Sequence, residues 1–369
     1  MADRANSGDD GKAASEWWVM TTASTAQPLA AQTPRSVGIW LLLIAALVAA
    51  MVMLGGATRL TQSGLSMTDW HPVTGILPPL GQAAWEAEFE RYKLYPEYQK
   101  VNLGMSLAEF KMIFWFEYAH RVLGRLIGLA FLLPFLWYLL RRRLDAVLAL
   151  KLGGVFLLGG LQGLVGWWMV KSGLVDHPDV SHYRLGTHLG LALLILAPLL
   201  WLGWRILLPA APSDRPVPSS LSWLAAIVVV LVFAQALSGA LVAGLDAGRH
   251  YNTFPMMNEA WFPDELWQAA PWWLNLFENP TTVQFDHRIG AYLTAALVLW
   301  LWISGRRAVS DRRTVRALDL MLAALVLQFG LGVLTLLYVV PVTLGVLHQG
   351  GALVLYAAAL FALYRLPVA

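Results

Sequence analysis

The chain has 369 residues, of which 58% are hydrophobic and only 13% charged, and it carries 18 Trp. Soluble domains hold about 25% charged residues, so this balance marks a polytopic membrane protein. Cysteine is absent, which excludes disulfides, thiolate metal sites, iron–sulfur clusters and cysteine nucleophiles; the net charge of +3 sits in short loops between apolar runs and gives no nucleic-acid face.

In chain order, residues 1–35 are polar, rich in Ala, Ser, Thr and Asp, and predict a disordered cytoplasmic tail. Acidic residues and few arginines make the tail a poor transit peptide, and the first apolar run lacks a convincing cleavage site, so it is read as retained. Crossing a hydrocarbon core takes about 20 residues. Eight runs qualify: about 37–57, 117–140, 149–170, 184–207, 221–243, 284–304, 317–339 and 342–364. Two long connections, 58–116 and 244–283, hold many Trp, Pro and Gly residues and read as interfacial segments on the outer side.

Orientation follows from short-loop Lys and Arg. Arg141, Arg142, Arg143 and Lys151 join the second and third spans, Arg205 and Arg215 the fourth and fifth, and Arg306, Arg307, Arg312, Arg313 and Arg316 the sixth and seventh. Both termini are therefore expected in the cytoplasm.

The halves resemble each other. "FEYAHRVLG" opens the second span and "VQFDHRIG" the sixth; "LQGLVG" in the third matches "LQFGLG" in the seventh; "LGTHLGLAL" in the fourth matches "LGVLHQGGALV" in the eighth. The expected fold is an all-α integral membrane protein of two tandem, pseudo-symmetric four-helix bundles. Residues 36–210 form the N-terminal half and 211–369 the C-terminal half, as parallel rather than inverted repeats.

Four of the eight histidines fall within spans: His120, His188, His287 and His348. Each lies on an even-numbered span, within about two turns of its outer end, so all four share one depth. Within a half the two histidine-bearing helices run parallel and their imidazoles can face across the bundle. Such a bis-histidine site in a cysteine-free bundle suits heme. A packing role, a proton relay or a zinc site are the alternatives; a closed zinc site needs four ligands and two helices offer too few. Arg121 and Arg288 each follow a histidine directly, Arg125 lies one turn deeper and Arg184 precedes His188 by one turn, so all four are candidate partners for heme propionates, or else snorkel to the interface.

Glu117 precedes His120 by one turn on the same face, where the second half has Gln284. A carboxylate can move protons or stabilise a developing cation and an amide cannot, which makes the first pocket read as chemical and the second as electron-transferring. An ion pair between Glu117 and Arg121 is the structural alternative. Gln162 and Gln328 occupy matching places in the third and seventh spans and are expected to make interhelical hydrogen bonds. His71, His177, His182 and His250 fall in outer segments and are read as solvated or interfacial.

Six stretches together resemble the heme A synthase family: "GGATRLTQSGLSMTDWHPVTGILPPL", "FEYAHRVLGRLIG", "HYRLGTHLGLAL", "YNTFPMMN", "QFDHRIGAYL" and "LGVLHQGGALVLY". The resemblance spans about 37 to 364. It implies oxidation of the C8 methyl group of heme O to a formyl group, giving heme A for cytochrome c oxidase. It implies that His287 and His348 ligate a resident heme b in the C-terminal half and that His120 and His188 hold heme O in the N-terminal half. Glu117 matches the functional carboxylate of the family. The cysteine pairs found in the outer loops of some bacterial members have no counterpart here, which removes a thiol step. The implied partners are heme O, a heme O synthase that delivers it, an electron donor or acceptor of open identity, the lipid bilayer and a homo-oligomer. The expected location is the bacterial inner membrane, ahead of the mitochondrial one. The rival reading is a diheme b-type cytochrome exchanging electrons with quinone.

Overall fold

The computed structural model describes residues 33–68, 77–173, 180–208 and 218–366. Nearly all of the N-terminal tail, His71 and His177 lie outside the described residues.

Eight helices are long and apolar enough to cross a membrane. They are the first span Arg35–Leu60, the second Leu107–Leu140, the third Ala146–Gly173, the fourth His182–Leu207, the fifth Ser219–Gly244, the sixth Pro280–Ala308, the seventh Arg312–Leu337 and the eighth Val342–Arg365. At 1.5 Å per residue the shortest is about 36 Å long, enough for a hydrocarbon core of about 30 Å. Helix is forced here because a lipid-exposed backbone has no other way to satisfy its own N–H and C=O groups. Among the described residues no β-strand forms; the one isolated bridge pairs Met257 with Ala260.

The ends are set by local chemistry. Ser106 caps the second span by accepting from the Glu109 backbone N–H while the Glu109 carboxylate accepts from the Ser106 backbone N–H, a reciprocal capping box. Asn279 caps the sixth span, with Pro280 at the first helical position, where its missing N–H costs nothing. Asp311 caps the seventh.

The contacts between spans close two rings. The first touches the second, the second the third, the third the fourth, and the fourth returns to the first; the fifth to eighth spans repeat the pattern. The rings meet where the first and fourth spans pack against the fifth and eighth. Small residues allow the close approach. Gly38 and Gly203 sit where any side chain would collide with Leu207 and Leu42 across the first and fourth spans, and Gly56 lies directly under Gln349 across the first and eighth. Along this seam Leu41, Ile44, Leu199, Val228 and Ala359 are buried. On the perimeter Leu129, Leu133, Leu150, Leu157, Trp223 and Val230 are exposed, as a lipid-facing surface requires.

The second span differs from the sequence expectation. It opens at Leu107, ten residues before Glu117, and is about 51 Å long. On those extra turns Phe110 and Phe114 pack on Trp85, Phe89 and Tyr92 of the helix Gln82–Tyr92. The 58–116 connection thereby carries a small aromatic core of its own.

Candidate functional site

The ring order places the second and fourth spans at diagonal corners of one bundle and the sixth and eighth at diagonal corners of the other. His120 and His188 therefore face across the first bundle interior, each within electrostatic reach of its partner, and His287 and His348 do the same in the second. His188, His287 and His348 lie about two turns into their helices, as expected from sequence. His120 lies between about three and four turns in, because its helix begins early.

Each imidazole rests against a glycine of the preceding span. A methyl group at Gly55 would stand 3.2 Å from His120 Nε2; at Gly166, 3.0 Å from His188 Cε1; at Gly239, 3.2 Å from His287 Cε1; and at Gly332, 2.9 Å from His348 Cε1. All four distances are tighter than ordinary van der Waals contact, so the missing side chain is what admits the ring. One turn before three of these glycines stands a glutamine: Gln162, Gln235 and Gln328. Gln162 donates to the His188 carbonyl oxygen at 3.1 Å, the interhelical bond expected for it. Gln235 donates to the His287 carbonyl oxygen at 2.8 Å. Neither Gln235 nor the four glycines were singled out from the sequence, yet the repeated four-residue spacing from glutamine to glycine was the signal that marks them.

Beside each pocket a clamp ties the histidine helix to the connection preceding it. In the first half the Ser66 hydroxyl and the Met67 backbone N–H donate to Glu117 Oε2 at 2.8 Å each, and Arg121 donates to Glu117 Oε1 at 2.5 Å and to the Met67 carbonyl at 2.9 Å. The Glu117 and Arg121 side chains are only 4% and 8% exposed, so this ion pair is largely shielded from solvent. In the second half Gln284 donates to the carbonyls of Ala247 and Tyr251 at 2.9 and 3.1 Å, and Arg288 donates to those of Tyr251, Thr253 and Met256 at 2.9, 3.0 and 3.2 Å.

The remaining arginines separate by environment. Arg184 stacks over the Trp168 ring of the third span, 4.3 Å from its centroid. Arg125 is partly buried one turn beyond Arg121. His250 is exposed, as expected, but His182 is not solvated: it packs over Gly244 and reaches Glu278 at 3.7 Å, because the fourth span starts at that residue. Arg59, unremarked in the sequence, donates to the Ala243 carbonyl at 3.1 Å and pairs with Asp246 at 3.3 Å, tying the end of the first span to that of the fifth.

The donor set is selective. Among the described residues no group of three or more His, Cys, Asp or Glu side chains comes together, so a tetrahedral zinc site lacks ligands. Two imidazoles on opposite sides of a bundle interior suit an iron that takes one axial ligand on each face of a planar ring.

Similarity to known proteins agrees. The family model for a cytochrome oxidase assembly protein, COX15-CtaA, matches residues 38–360. Heme A synthase of Nitrosospira multiformis is 50% identical over 343 residues, covering 93% of this chain and 96% of that one. Those of Bradyrhizobium sp. strain ORS 278 and Rhodospirillum centenum are 49% and 50% identical, covering 94% and 91% of this chain and 94% and 90% of theirs. With eight apolar spans and bacterial relatives matched over most of their length, the chain is a multi-pass protein of the bacterial inner membrane, and it belongs to the heme A synthase family.

Proposed function

We propose that this chain oxidises the C8 methyl group of heme O to the formyl group of heme A. The observation that carries the reading is the fourfold arrangement of imidazoles: one per even-numbered span, paired across two bundle interiors, each seated on a glycine. Residues 36–210 would form the substrate half, with His120 and His188 on the two faces of heme O. Residues 211–369 would form the resident half, where His287 and His348 hold heme b. Heme b supplies one-electron chemistry when bound.

The protein's own part is positioning and electrostatics. The glycines set the planes of the imidazoles. Glu117, held by three donors, acts as a fixed negative charge beside the substrate pocket and stabilises positive charge developing at the methyl carbon. The short-loop arginines place the histidine ends of the even-numbered spans on the side away from the cytoplasm. The lipid-facing Leu and Trp surface accommodates the isoprenoid tail of heme O, delivered by a heme O synthase. Arg121, Arg125, Arg184 and Arg288 are the candidate propionate partners, Arg121 and Arg288 being tied to loop carbonyls as well.

Chromatography of hemes from cells expressing this chain with a heme O synthase tests the reading. Heme A in the extract is expected. Heme O persisting beside protein-bound heme b alone favours a diheme cytochrome instead.

A further inference from the structure

The four ligand histidines are not equivalent at their second ring nitrogen. His287 Nδ1 lies 3.2 Å from the Ser238 hydroxyl and 3.1 Å from Gln235 Nε2. By contrast His188 Nδ1 is buried with no hydrogen-bond partner among the described residues, and His348 has the Gln328 backbone beside it rather than a hydroxyl. The cause is in the spans they face. The residue just before each seating glycine is Leu54, Val165, Ser238 and Leu331 in turn, so only the fifth span offers a hydroxyl. One turn before the glycine, the first span has Met51 where the fifth has Gln235.

One Gln235 amide N–H goes to the His287 carbonyl at 2.8 Å and fixes the backbone; when Nε2 is the ligating atom, Nδ1 carries the proton and donates it to Ser238. A helical serine can accept in this way while its own proton goes to a carbonyl one turn back. With Nδ1 carrying the proton, Nε2 keeps the lone pair. We infer that Ser238 and Gln235 are positioning residues that fix His287 as an Nε2 ligand and make it a stronger electron donor than His188. An imidazole whose N–H is given to a hydrogen-bond acceptor is a more basic ligand and favours the oxidised metal. The C-terminal iron therefore has the lower reduction potential of the two. This inference rests on the assignment of His287 as a heme ligand.

The test is a spectroelectrochemical titration of purified, heme-loaded protein, with heme content measured alongside. Ser238→Ala and Gln235→Met are expected to shift the midpoint of the C-terminal heme upward with heme content retained, and Ser238→Thr to keep the wild-type midpoint. The reciprocal Leu54→Ser should lower the midpoint of the N-terminal site when heme is bound there. Unmoved midpoints in both Ser238→Ala and Gln235→Met overturn the inference. If Ser238→Ala loses heme, Ser238→Thr decides: a wild-type potential supports the hydroxyl's role, and equal heme loss overturns it. The underlying assignment fails separately, if His287→Ala still binds the heme of the C-terminal half.

Discussion

The two clamps have the same plan and opposite polarity. In the N-terminal half the connection offers donors, the Ser66 hydroxyl and the Met67 N–H, and the helix answers with the acceptor Glu117. In the C-terminal half the connection offers carbonyls, from Ala247 and Tyr251, and the helix answers with the donor Gln284. Each side chain is matched to its own loop, and a carboxylate at 284 would leave the Ala247 and Tyr251 carbonyls without the amide donor they now have. The contrast between acid and amide thus has a structural cause in the loops. A chemical role for Glu117 must be separated from that cause by experiment.

The largest effect is expected at the seating glycines. Gly332→Val should abolish heme binding in the C-terminal half, because even a methyl there would lie 2.9 Å from His348 Cε1. Gly239→Ala, at 3.2 Å from His287, should weaken binding without abolishing it. Heme content and the optical spectrum of purified protein check both, and equal retention in both would break the link between glycine and ring.

Next, Gln284→Glu should destabilise the C-terminal clamp by about 1–2 kcal/mol, since a carboxylate would face two carbonyls, with Arg288, 3.5 Å from Gln284 Oε1, offsetting part of the loss. Thermal unfolding in detergent reads this, and wild-type stability would contradict the polarity match. Ser66→Ala removes one hydrogen bond to Glu117 and leaves its charge. About 1 kcal/mol should be lost, with heme A formation reduced only modestly when measured in cells supplied with heme O.

The smallest effect lies at the far end of the molecule, where Asp311 pairs with the buried Arg365 at 3.0 Å. Burial alone would raise the Asp311 carboxyl, but the hydroxyl and N–H of Thr314 and the Arg365 guanidinium outweigh it and bring it down to about 2. A depressed carboxyl stabilises the fold above its unfolded value of 3.8, and that contribution is lost as pH falls through about 2. Asp311→Asn should be less stable at neutral pH and lack this acid-dependent loss, as melting temperature against pH would show.

Much of this was legible in the sequence because a membrane leaves few choices. Apolar run length gave all eight spans, and the paired histidines stood out because a polar residue in a span is costly. The early start of the second span was not legible: Leu107 to Phe116 mixes apolar residues with Glu109 and Lys111, and only the capping box and the aromatic packing on Trp85 and Phe89 reveal a helix. Gln235 was hidden for a different reason. It has no counterpart in the first span, where Met51 stands, so comparing the fifth span with the first did not expose it. The polarity of the clamps was invisible because, apart from the Ser66 hydroxyl, it depends on which backbone groups of a loop point at the helix, and no residue type encodes that.

The most direct measurement of the central claim is heme analysis of Glu117→Gln beside Ser66→Ala, each purified after co-expression with a heme O synthase. A glutamine at 117 can still accept from Ser66 and Met67 through its oxygen, so the clamp is weakened rather than lost. The account predicts that Glu117→Gln keeps heme b and makes no heme A, while Ser66→Ala keeps most of its heme A. Heme A at wild-type levels in Glu117→Gln, or equal losses in the two variants, would contradict a chemical role for the carboxylate and leave it as a loop anchor.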